Sequence, residues 1–465
     1  MMVVLSNNIK IANPNKELLK WCKDNLILPN PEYAKKARMG FWTGNTPETL
    51  CLFETVDDFL VLPAGTYSNV RQFMNNKDFV VHEFKPLRHV NYEADIPLYD
   101  YQEKAVQAMS EAHGGILQSA AGSGKTQMGL ALATKIGGRT LWLCHTLDLV
   151  KQSKDRAKQY MDSSLIGEIS GGKVNISSGI TFATVQTMSK LDLIRYKDCW
   201  DCIIVDEVHR VSGSPTSVTQ YQKVLNNLSA PYKYGLSATV HRSDGLIQAT
   251  FALIGDIAYS VPDEAIADKI MKVGVRPVGT GVRITEECLN PDGTINYTQL
   301  ITYLTKEKER NLLIANLIEV GKPSLILSDR LEHLSVLKDL LPYHELDKAV
   351  MISGKMSTKK GRAERDEAIE DMRSGKKKYL FATYSLAKEG LDIPCLERLY
   401  LATPQKDYAI ITQAIGRIAR VCEGKEDPVC YDFVDDIGYL VKSYKKRCST
   451  YRKNGCYFVE EGETD

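Results

Sequence analysis

The chain has 465 residues, of which 25% are charged and 43% hydrophobic, with 59 Lys and Arg against 58 Asp and Glu. This composition excludes a basic nucleic-acid tail protein, an acidic solvating protein and a disordered chain, although local basic patches remain compatible with nucleic-acid binding. No apolar stretch approaches the length of a membrane span, and the first residues lack the basic start of a signal peptide. The eleven scattered cysteines are typical of reduced thiols in a cytoplasm-like compartment.

The length predicts about three domains. Residues 1–95 combine Pro- and Asn-containing turns with short apolar runs, which predicts a small, separate N-terminal module that is α/β or β-rich. Phe41 and Trp42 in this part are able to stack on bases. Packing in a core is the favoured interpretation of both side chains.

From residue 98 onward, short apolar runs alternate with turns and helical stretches. The runs lack polar alternation, as strands buried on both faces of a parallel sheet do, and their spacing fits βαβ units. They are found at 115–119, 140–144, 180–184, 202–206, 234–238, 324–328, 379–383 and 398–402. The two groups of runs predict an α/β fold with parallel-sheet domains at 96–265 and 266–465, the second ending in a basic tail, Lys442–Lys453.

A phosphate-binding loop is predicted where Ser-Ala-Ala-Gly-Ser-Gly-Lys-Thr follows the first of these runs. Two glycines let successive backbone N–H groups face one anion, and the dipole of the next helix adds to their effect. Lys125 is placed to reach the outer phosphates and Thr126 to ligate Mg²⁺. The predicted nucleotide contacts are Ser119, Gly122, Ser123, Gly124, Lys125 and Thr126.

An acidic pair, Asp206 and Glu207, follows the buried run that starts at Cys202. Asp206 is suited to hold Mg²⁺, directly or through water, and Glu207 to orient and deprotonate the attacking water. Such a pair alone often caps a helix. Its position downstream of a phosphate loop in the same predicted sheet favours the catalytic interpretation.

A third motif, at 413–420, is predicted to be a partly buried helix that carries Gln413, Arg417 and Arg420 on adjoining faces. A solvated basic helix face is the alternative. In the functional interpretation Arg420, with Arg417, reaches the γ-phosphate from the second domain as an arginine finger, a contribution of about 10³–10⁵ in rate. Hydrolysis would then require the two domains to close.

The order of these motifs over roughly 96–435 resembles superfamily 2 helicases and translocases. The resemblance implies two tandem RecA-like domains with an ATP site in the cleft between them. It also implies roles for residues outside the three motifs: adenine recognition by Gln102, nucleotide contacts by Gly390 and Asp392, and coupling by His209, Ser237 and Thr239. Backbone phosphates would be bound by Thr146, Thr184, Gln186, Arg242, Ser328, Arg330, Thr383 and Ser385. For each threonine, a helix N-cap or turn is the alternative.

The branch of the superfamily is indicated by Asp-Glu-Val-His at 206–209 and by Arg242-x-Asp244-Gly after Ser-Ala-Thr. Both are similar to the group that includes XPB, restriction-enzyme motor subunits and phage UvsW-type helicases. The N-terminal residues also resemble the leader domain of phage helicases of this group. This resemblance implies that residues 1–95 are an N-terminal α/β accessory domain with a role in DNA binding.

This resemblance implies an ATP- and Mg²⁺-dependent DNA helicase or translocase that remodels forked or branched DNA in replication, recombination or repair. A monomer in a bacterial host cytoplasm, with no membrane contact, is expected. Single-strand-binding, replication or recombination proteins are its expected partners. A restriction or defence motor and an RNA helicase remain the alternatives.

Overall fold

The computed structural model describes residues 1–120, 122–238, 246–266, 270–352, 359–388, 391 and 393–459. Four predicted site residues, Thr239, Arg242, Gly390 and Asp392, lie outside the described residues. Met1–Ala120 and Gly124–Ala265 form one compact unit, and Ile266–Asp465 forms most of a second. In the described part of the chain, no helix is both long and apolar enough to cross a bilayer.

The N-terminal part of the first unit is built on a five-stranded sheet with the order β5-β6-β2-β1-β7 and a separate β3-β4 pair. Asn30 caps the second helix by accepting the N–H of Glu32 at 3.0 Å, and Pro31 at the first helical position fits a helix start. The elements are β1 (Met2–Leu5), β2 (Asn8–Ala12), α1 (Lys16–Asn25), β3 (Ile27–Pro29), α2 (Pro31–Arg38), β4 (Thr49–Cys51), β5 (Glu54–Val56), β6 (Phe59–Pro63), α3 (Tyr67–Arg71) and β7 (Phe79–His82).

The remainder of the first unit is a parallel α/β domain. Its sheet has the order β11-β10-β12-β9-β13-β14-β8-β15 and is parallel except at the β10–β11 pair. The strands are β8 (Gly114–Gln118), β9 (Thr140–Cys144), β10 (Ile166–Ser170), β11 (Lys173–Asn175), β12 (Ile180–Thr184), β13 (Cys202–Val205), β14 (Tyr232–Ser237) and β15 (Ile257–Ser260). The helices are α4 (Asp100–Ala112), α5 (Lys125–Ile136), α6 (Leu147–Ala157), α7 (Val185–Met188), α8 (Pro215–Asn227) and α9 (Ile247–Ile254).

The N-terminal sheet shares its hydrophobic core with α8 and α9. The cluster that contains Val3, Ile11 and Leu62 also includes Val218, Leu246, Ala249 and Ala252. Lys233 in β14 is buried beside this region, where its ammonium group donates to the carbonyl oxygens of Asn7 at 2.7 Å and Leu225 at 2.9 Å. Burial lowers the pKa of Lys233 to about 7. The core therefore continues across residue 95, and the predicted domain boundary there stays a prediction.

The second unit contains a seven-stranded parallel sheet with the order β18-β19-β17-β20-β21-β16-β22 in the described residues. Its strands are β16 (Gly274–Gly279), β17 (Ser324–Ser328), β18 (Ala349–Ile352), β19 (Tyr379–Thr383), β20 (Arg398–Leu401), β21 (Val429–Val434) and β22 (Tyr457–Phe458). Its helices are α10 (Tyr297–Lys306), α11 (Lys308–Asn316), α12 (Leu331–Asp339), α13 (Lys359–Arg373), α14 (Tyr384–Lys388), α15 (Tyr408–Ile418) and α16 (Gly438–Lys453). One hydrophobic cluster contains Leu325 and Leu380, and another contains Ile326 and Phe381, which alternate with them along β17 and β19; both faces of the sheet are therefore covered.

Candidate nucleotide site and nucleic-acid contacts

The predicted motifs of the first unit follow β8, β9, β12, β13 and β14, whose carboxyl ends meet at one edge of the sheet. Ligands of open parallel sheets bind outside this edge. The strand order places β14 between β13 and β8, so the acidic pair, the Ser-Ala-Thr motif and the phosphate loop leave neighbouring strands.

The phosphate loop connects β8 to α5. Gly122 and Gly124 have φ of 86° and 81°, a left-handed conformation that glycine adopts without steric cost. The ammonium group of Lys125 donates to the carbonyl oxygens of Ser119 at 3.3 Å and Ala120 at 3.2 Å, so it lies over the loop. Thr126 follows, half-buried, in the first turn of α5.

Gln102 lies against this loop. Its side chain is buried, and its Oε1 accepts the backbone N–H of Tyr99 at 3.0 Å. A Cβ atom at Gly124 would collide with the Gln102 amide. Glycine is therefore required at position 124 for two reasons: it adopts the left-handed backbone conformation, and it leaves space for the Gln102 side chain.

The acidic pair stands directly after β13. Asp206 is buried; its Oδ2 accepts from the Ser153 hydroxyl at 3.2 Å, and its Oδ1 accepts from the backbone N–H of Glu207 at 2.9 Å. Burial, followed by the negative charge of Glu207, raises the pKa of Asp206 to about 6, while the charge of Lys125 opposes the shift. Glu207 has φ of 47°, a conformation that costs a non-glycine residue about 1–3 kcal/mol.

His209 connects the acidic pair to the neighbouring strand. Its Nδ1 lies 3.0 Å from the hydroxyl of Ser237 and 3.3 Å from a carboxylate oxygen of Glu207. Ser237 is buried at the end of β14. The structure thus brings together Glu207, His209 and Ser237.

Ser153 is the contact in this site that sequence reasoning missed. It lies inside α6, where a serine has no distinctive spacing and resembles any polar helix residue. Only the parallel pairing of β9 with β13 brings α6, which follows β9, beside Asp206.

In the second unit, Gln413 and Arg417 lie on α15, and Arg417 donates to the carbonyl oxygen of Leu391 at 3.1 Å. The prediction that Arg420 lies on the same helix is wrong, because α15 ends at Ile418 and Arg420 forms an isolated bridge with Ile270. Lys425 explains the end: its ammonium group donates to the carbonyls of Ile418 at 2.7 Å and Arg420 at 2.6 Å.

The predicted nucleic-acid contacts of the first unit take part in local structure. The hydroxyl of Thr146 accepts the N–H of Leu149 at 3.3 Å and caps α6, which is the alternative expected for threonine. Thr184 is buried, and its hydroxyl donates to Thr187 at 2.8 Å. The side chain of Gln186 donates to the carbonyl oxygen of His145 at 2.9 Å.

A buried hydrogen-bonded chain fixes Ser328 in the second unit. The Asn311 amide donates to the Thr305 carbonyl at 3.0 Å, so its Oδ1 accepts from His333 Nε2 at 2.9 Å. His333 Nδ1 must then accept from the Ser328 hydroxyl, 2.9 Å away, whose oxygen accepts the N–H of Arg330 at 3.2 Å. Burial lowers the pKa of His333 to about 3, which keeps the ring neutral. Ser328 thus orients the backbone of the motif.

The side chains beside Ser328 are more accessible. Arg330 is half-buried at the start of α12. After β19, the hydroxyls of Thr383 and Ser385 lie 2.9 Å apart, and Ser385 is exposed.

The predicted basic tail is the packed helix α16. Arg447 is buried; its guanidinium binds Asp432 through two contacts of 2.8 Å. Tyr451 also donates to Asp432, at 2.6 Å. Only part of the tail is available to a ligand. This accessible part includes the exposed side chains of Lys442 and Lys446.

The expectation that Phe41 and Trp42 pack in a core is wrong. They are 63% and 78% exposed after α2, a helix with no buried residue. The indole of Trp42 lies over Gly44, where a Cβ atom would collide with it. Exposed Lys35 and Arg38 precede the two aromatic residues.

Comparison with known families identifies two matching regions. Residues 95–242 match the family described as type III restriction enzyme, res subunit. Residues 306–422 match the helicase conserved C-terminal domain. The two matches cover the motifs of the first and second units.

Relatives of this chain carry helicase or translocase names. "Putative ATP-dependent RNA helicase L396" of Acanthamoeba polyphaga mimivirus is 30% identical, over 77% of this chain and 67% of the relative. "Probable helicase D10" of Escherichia phage T5 is 26% identical, over 80% and 77%. "DNA 3'-5' translocase XPB2" of Sulfurisphaera tokodaii is 25% identical, over 78% and 87%.

The chain belongs to the superfamily 2 helicases, in the group that includes XPB and restriction-enzyme motors. Solved structures show the same fold. An HsdR fragment of a type I restriction enzyme from Vibrio vulnificus covers 75% of this chain and 65% of its own length with a TM-score of 0.53 at 18% identity. Dbp5 of S. cerevisiae covers 78% and 94% with a TM-score of 0.52 at 18% identity. These comparisons confirm the predicted fold of two tandem RecA-like domains.

Proposed function

We propose that this helicase is an ATP-driven motor that moves along DNA and remodels forked or branched DNA. The observation that carries the proposal is the joint placement of the phosphate loop, Asp206–Glu207 and the His209–Ser237 contact at one edge of a parallel sheet. Relatives named as a DNA 3'-5' translocase and a phage helicase support DNA as the track.

The residues present fit a divalent cation. Asp206 and Glu207 are adjacent carboxylates, and the raised pKa of Asp206 reflects the cost of burying their negative charge together. A cation would relieve this repulsion, and hard oxygen ligands suit Mg²⁺. Thr126 and Asp206 would hold the ion, which when bound neutralises charge on the phosphates of ATP.

The protein side chains supply the other functions. Lys125 would move from the loop carbonyls to the outer phosphates, because an anion is the stronger acceptor for its ammonium group. Glu207 would orient and accept a proton from the attacking water. Its contact with His209 would pass any movement to Ser237 and the segment after β14. Arg417 and Arg420 would serve as the arginine finger.

The test is an ATPase assay on the full chain, with and without DNA. We expect DNA to raise the rate, and we expect Lys125→Ala and Glu207→Gln to abolish it, since each removes a group that acts on the reacting phosphate or water. Lys135→Ala is the matched control, because this lysine lies on the same helix and contacts Gln107 instead. A rate that does not change with any nucleic acid would contradict the proposal.

Substrate class needs a panel of single strand, duplex, fork, four-way junction and RNA. RNA stays the second candidate because one relative is named as an RNA helicase, and contacts to phosphates do not distinguish the two nucleic acids. A preference for forks or junctions in unwinding would support remodelling. Affinity for DNA should fall linearly with salt on a log–log plot, since phosphate contacts release counterions.

A restriction or defence motor is the other candidate, favoured by the match to the restriction-enzyme res subunit family. Such a motor would respond to DNA that contains a recognition sequence and not to other DNA of equal length. Equal stimulation by unrelated sequences would exclude it.

We also propose that residues 1–95 contact nucleic acid. Exposed Phe41 and Trp42, next to Lys35 and Arg38, support this role. Trp142 and Trp200 are buried, so binding at Trp42 should quench a distinct, solvent-exposed part of the fluorescence. Loss of that quenching in Trp42→Phe, with equal quenching retained in Trp200→Phe, would assign it to this site.

A further inference from the structure

Two tyrosines and a lysine form an exposed group at the carboxyl edge of the second sheet. The rings of Tyr297 and Tyr439 have centroids 6.1 Å apart and an interplanar angle of 66°. The Lys406 ammonium lies 6.0 Å from the first centroid and 5.9 Å from the second, and it donates to the Tyr439 hydroxyl at 3.2 Å. Tyr297 and Tyr439 are each 39% exposed, and Lys406 is exposed. We call Tyr297, Tyr439 and Lys406 the tyrosine platform.

The helices that carry the platform are packed against each other, which holds the two tyrosines in place. Tyr297 opens α10 and Tyr439 stands in the first turn of α16, and these helices share one hydrophobic cluster. The cluster contains Val282, Cys288, Leu300, Ile301, Leu304, Ile437 and Leu440. The Tyr297 hydroxyl lies 3.3 Å from the carbonyl of Pro404, and buried Arg447 donates to the carbonyl of Gln405 at 3.0 Å. Rings already fixed in this way lose little entropy when a ligand binds.

The strand order places the platform in line with the predicted nucleic-acid contacts of the same unit. Along the carboxyl edge, β19 ends at Thr383, β17 leads to Arg330, β20 leads to Lys406 and β21 leads to Tyr439. Neighbouring strands are about 4.8 Å apart, so the platform begins one strand beyond Arg330. Burial, followed by the charge of Asp329, raises the pKa of the Tyr297 hydroxyl to about 12, while the charge of Arg330 opposes the shift.

A cationic line continues from the platform along α16. Tyr439, Lys442 and Lys446 are spaced i, i+3 and i+7, which places them on one face of the helix, and both lysines are exposed. The nearby carboxylate of Asp436 faces the Arg283 guanidinium at 3.2 Å, so its charge is partly offset. In a nucleic-acid strand, bases alternate with phosphates. Aromatic rings can stack on the bases while neighbouring ammonium groups bind the phosphates.

We propose that the tyrosine platform is a base-stacking subsite for a single nucleic-acid strand. Bases would stack on the two rings while Lys406, Lys442 and Lys446 lie near the phosphates. This subsite rests on the proposed function, because it extends the path that Thr383 and Arg330 would start. Stacking on tyrosine does not depend on base identity, which suits a motor that moves along any sequence.

The test measures binding of fluorescently labelled oligothymidylate and oligouridylate to the full chain by anisotropy, without nucleotide. The variants are the double variant Tyr297→Ala/Tyr439→Ala and its phenylalanine counterpart. Stacking contributes about 1–3 kcal/mol per base, and 1.4 kcal/mol is tenfold, so the alanine variant should bind about tenfold more weakly or worse. The phenylalanine variant keeps the rings and should bind within about threefold of the wild type.

Tyr343→Ala is the matched control. Tyr343 is 91% exposed in the same unit, in the segment that precedes β18, so it lies at the amino edge of the sheet. The Tyr343→Ala variant should bind both oligonucleotides with the affinity of the wild type.

An abasic strand separates stacking from a merely structural role. It has phosphates but no bases, so the wild type and the alanine variant should bind it equally. Equal loss on normal and abasic strands, or no loss on normal strands, would overturn the platform and leave the motor proposal intact. Failure of the wild type to bind either oligonucleotide would instead contradict the proposed function.

Discussion

The carboxyl edges of the two parallel sheets use the same architecture for different purposes. At the first edge, charged groups are held close together: buried Asp206 stands next to half-buried Glu207, and the charges of Glu207 and Lys125 both act on the pKa of Asp206. Glu207 also adopts a strained backbone conformation. At the second edge, the buried side chains of Asn311, His333 and Ser328 satisfy one another in a neutral chain. The first edge therefore retains unfavourable charge that a ligand can relieve, and the second provides fixed positions.

The largest effect is expected when either of two arginines of the second unit, Arg417 or Arg420, is replaced. Arg420→Lys and Arg417→Lys keep the charge but lose the planar guanidinium, so kcat for ATP should fall by about 10³ or more if they act as a finger. Arg373→Lys is the control: Arg373 is exposed at the end of α13, where it pairs with Glu370, so this change should leave kcat unchanged. Steady-state ATPase assays decide this; a decrease below tenfold would mean that the first edge works without these residues.

The next effect concerns the stability of the second edge. Arg310 and Asp435 form a fully buried ion pair, and Arg310 also donates to the Ala402 carbonyl at 2.8 Å. Arg310→Leu leaves a buried carboxylate without its partner, so urea unfolding should show a loss of about 3–5 kcal/mol. Arg283→Leu removes an exposed pair with Asp436 and should change stability little. Equal effects of the two variants would contradict the distinction.

A smaller effect is expected from pH. His333 has a folded pKa of about 3 against an ordinary value of 6.5, so the unfolded chain takes up the proton first as pH falls. The contribution of His333 to stability is therefore complete above pH 6.5 and declines below it. The stabilities of the wild type and His333→Gln should converge in acid. A difference that does not change with pH would show that the folded and unfolded chains protonate this ring with the same pKa.

The smallest effect separates two threonines. Thr146 caps α6, so Thr146→Ala should cost about 1 kcal/mol of stability. The Thr383 hydroxyl contacts the exposed Ser385, so Thr383→Ala should leave stability unchanged and weaken DNA binding a few-fold. Thermal unfolding and anisotropy on both variants measure the difference, and the reverse pattern would reassign the two residues.

The sequence predicted the sheets well because their strands are apolar runs without alternation, as at Cys202–Val205. It also predicted the phosphate loop, where Gly124 has the required backbone conformation. It could not predict contacts that depend on strand order, such as Ser153 with Asp206 or Tyr297 with Tyr439. It misjudged Trp42 because hydrophobicity alone does not distinguish a core residue from an exposed one.

The shared core between the N-terminal sheet and helices α8 and α9 has a mechanical consequence. Val218 in α8, which follows the acidic pair, and Ala249 in α9, which follows the Ser-Ala-Thr motif, pack in one hydrophobic cluster with side chains of residues 1–95. A pulling force on a strand held near Trp42 would be carried through this core to those segments, and not through a flexible tether. The N-terminal residues would therefore move together with the first parallel-sheet domain. Their removal would expose the hydrophobic side chains of α8 and α9 that they cover.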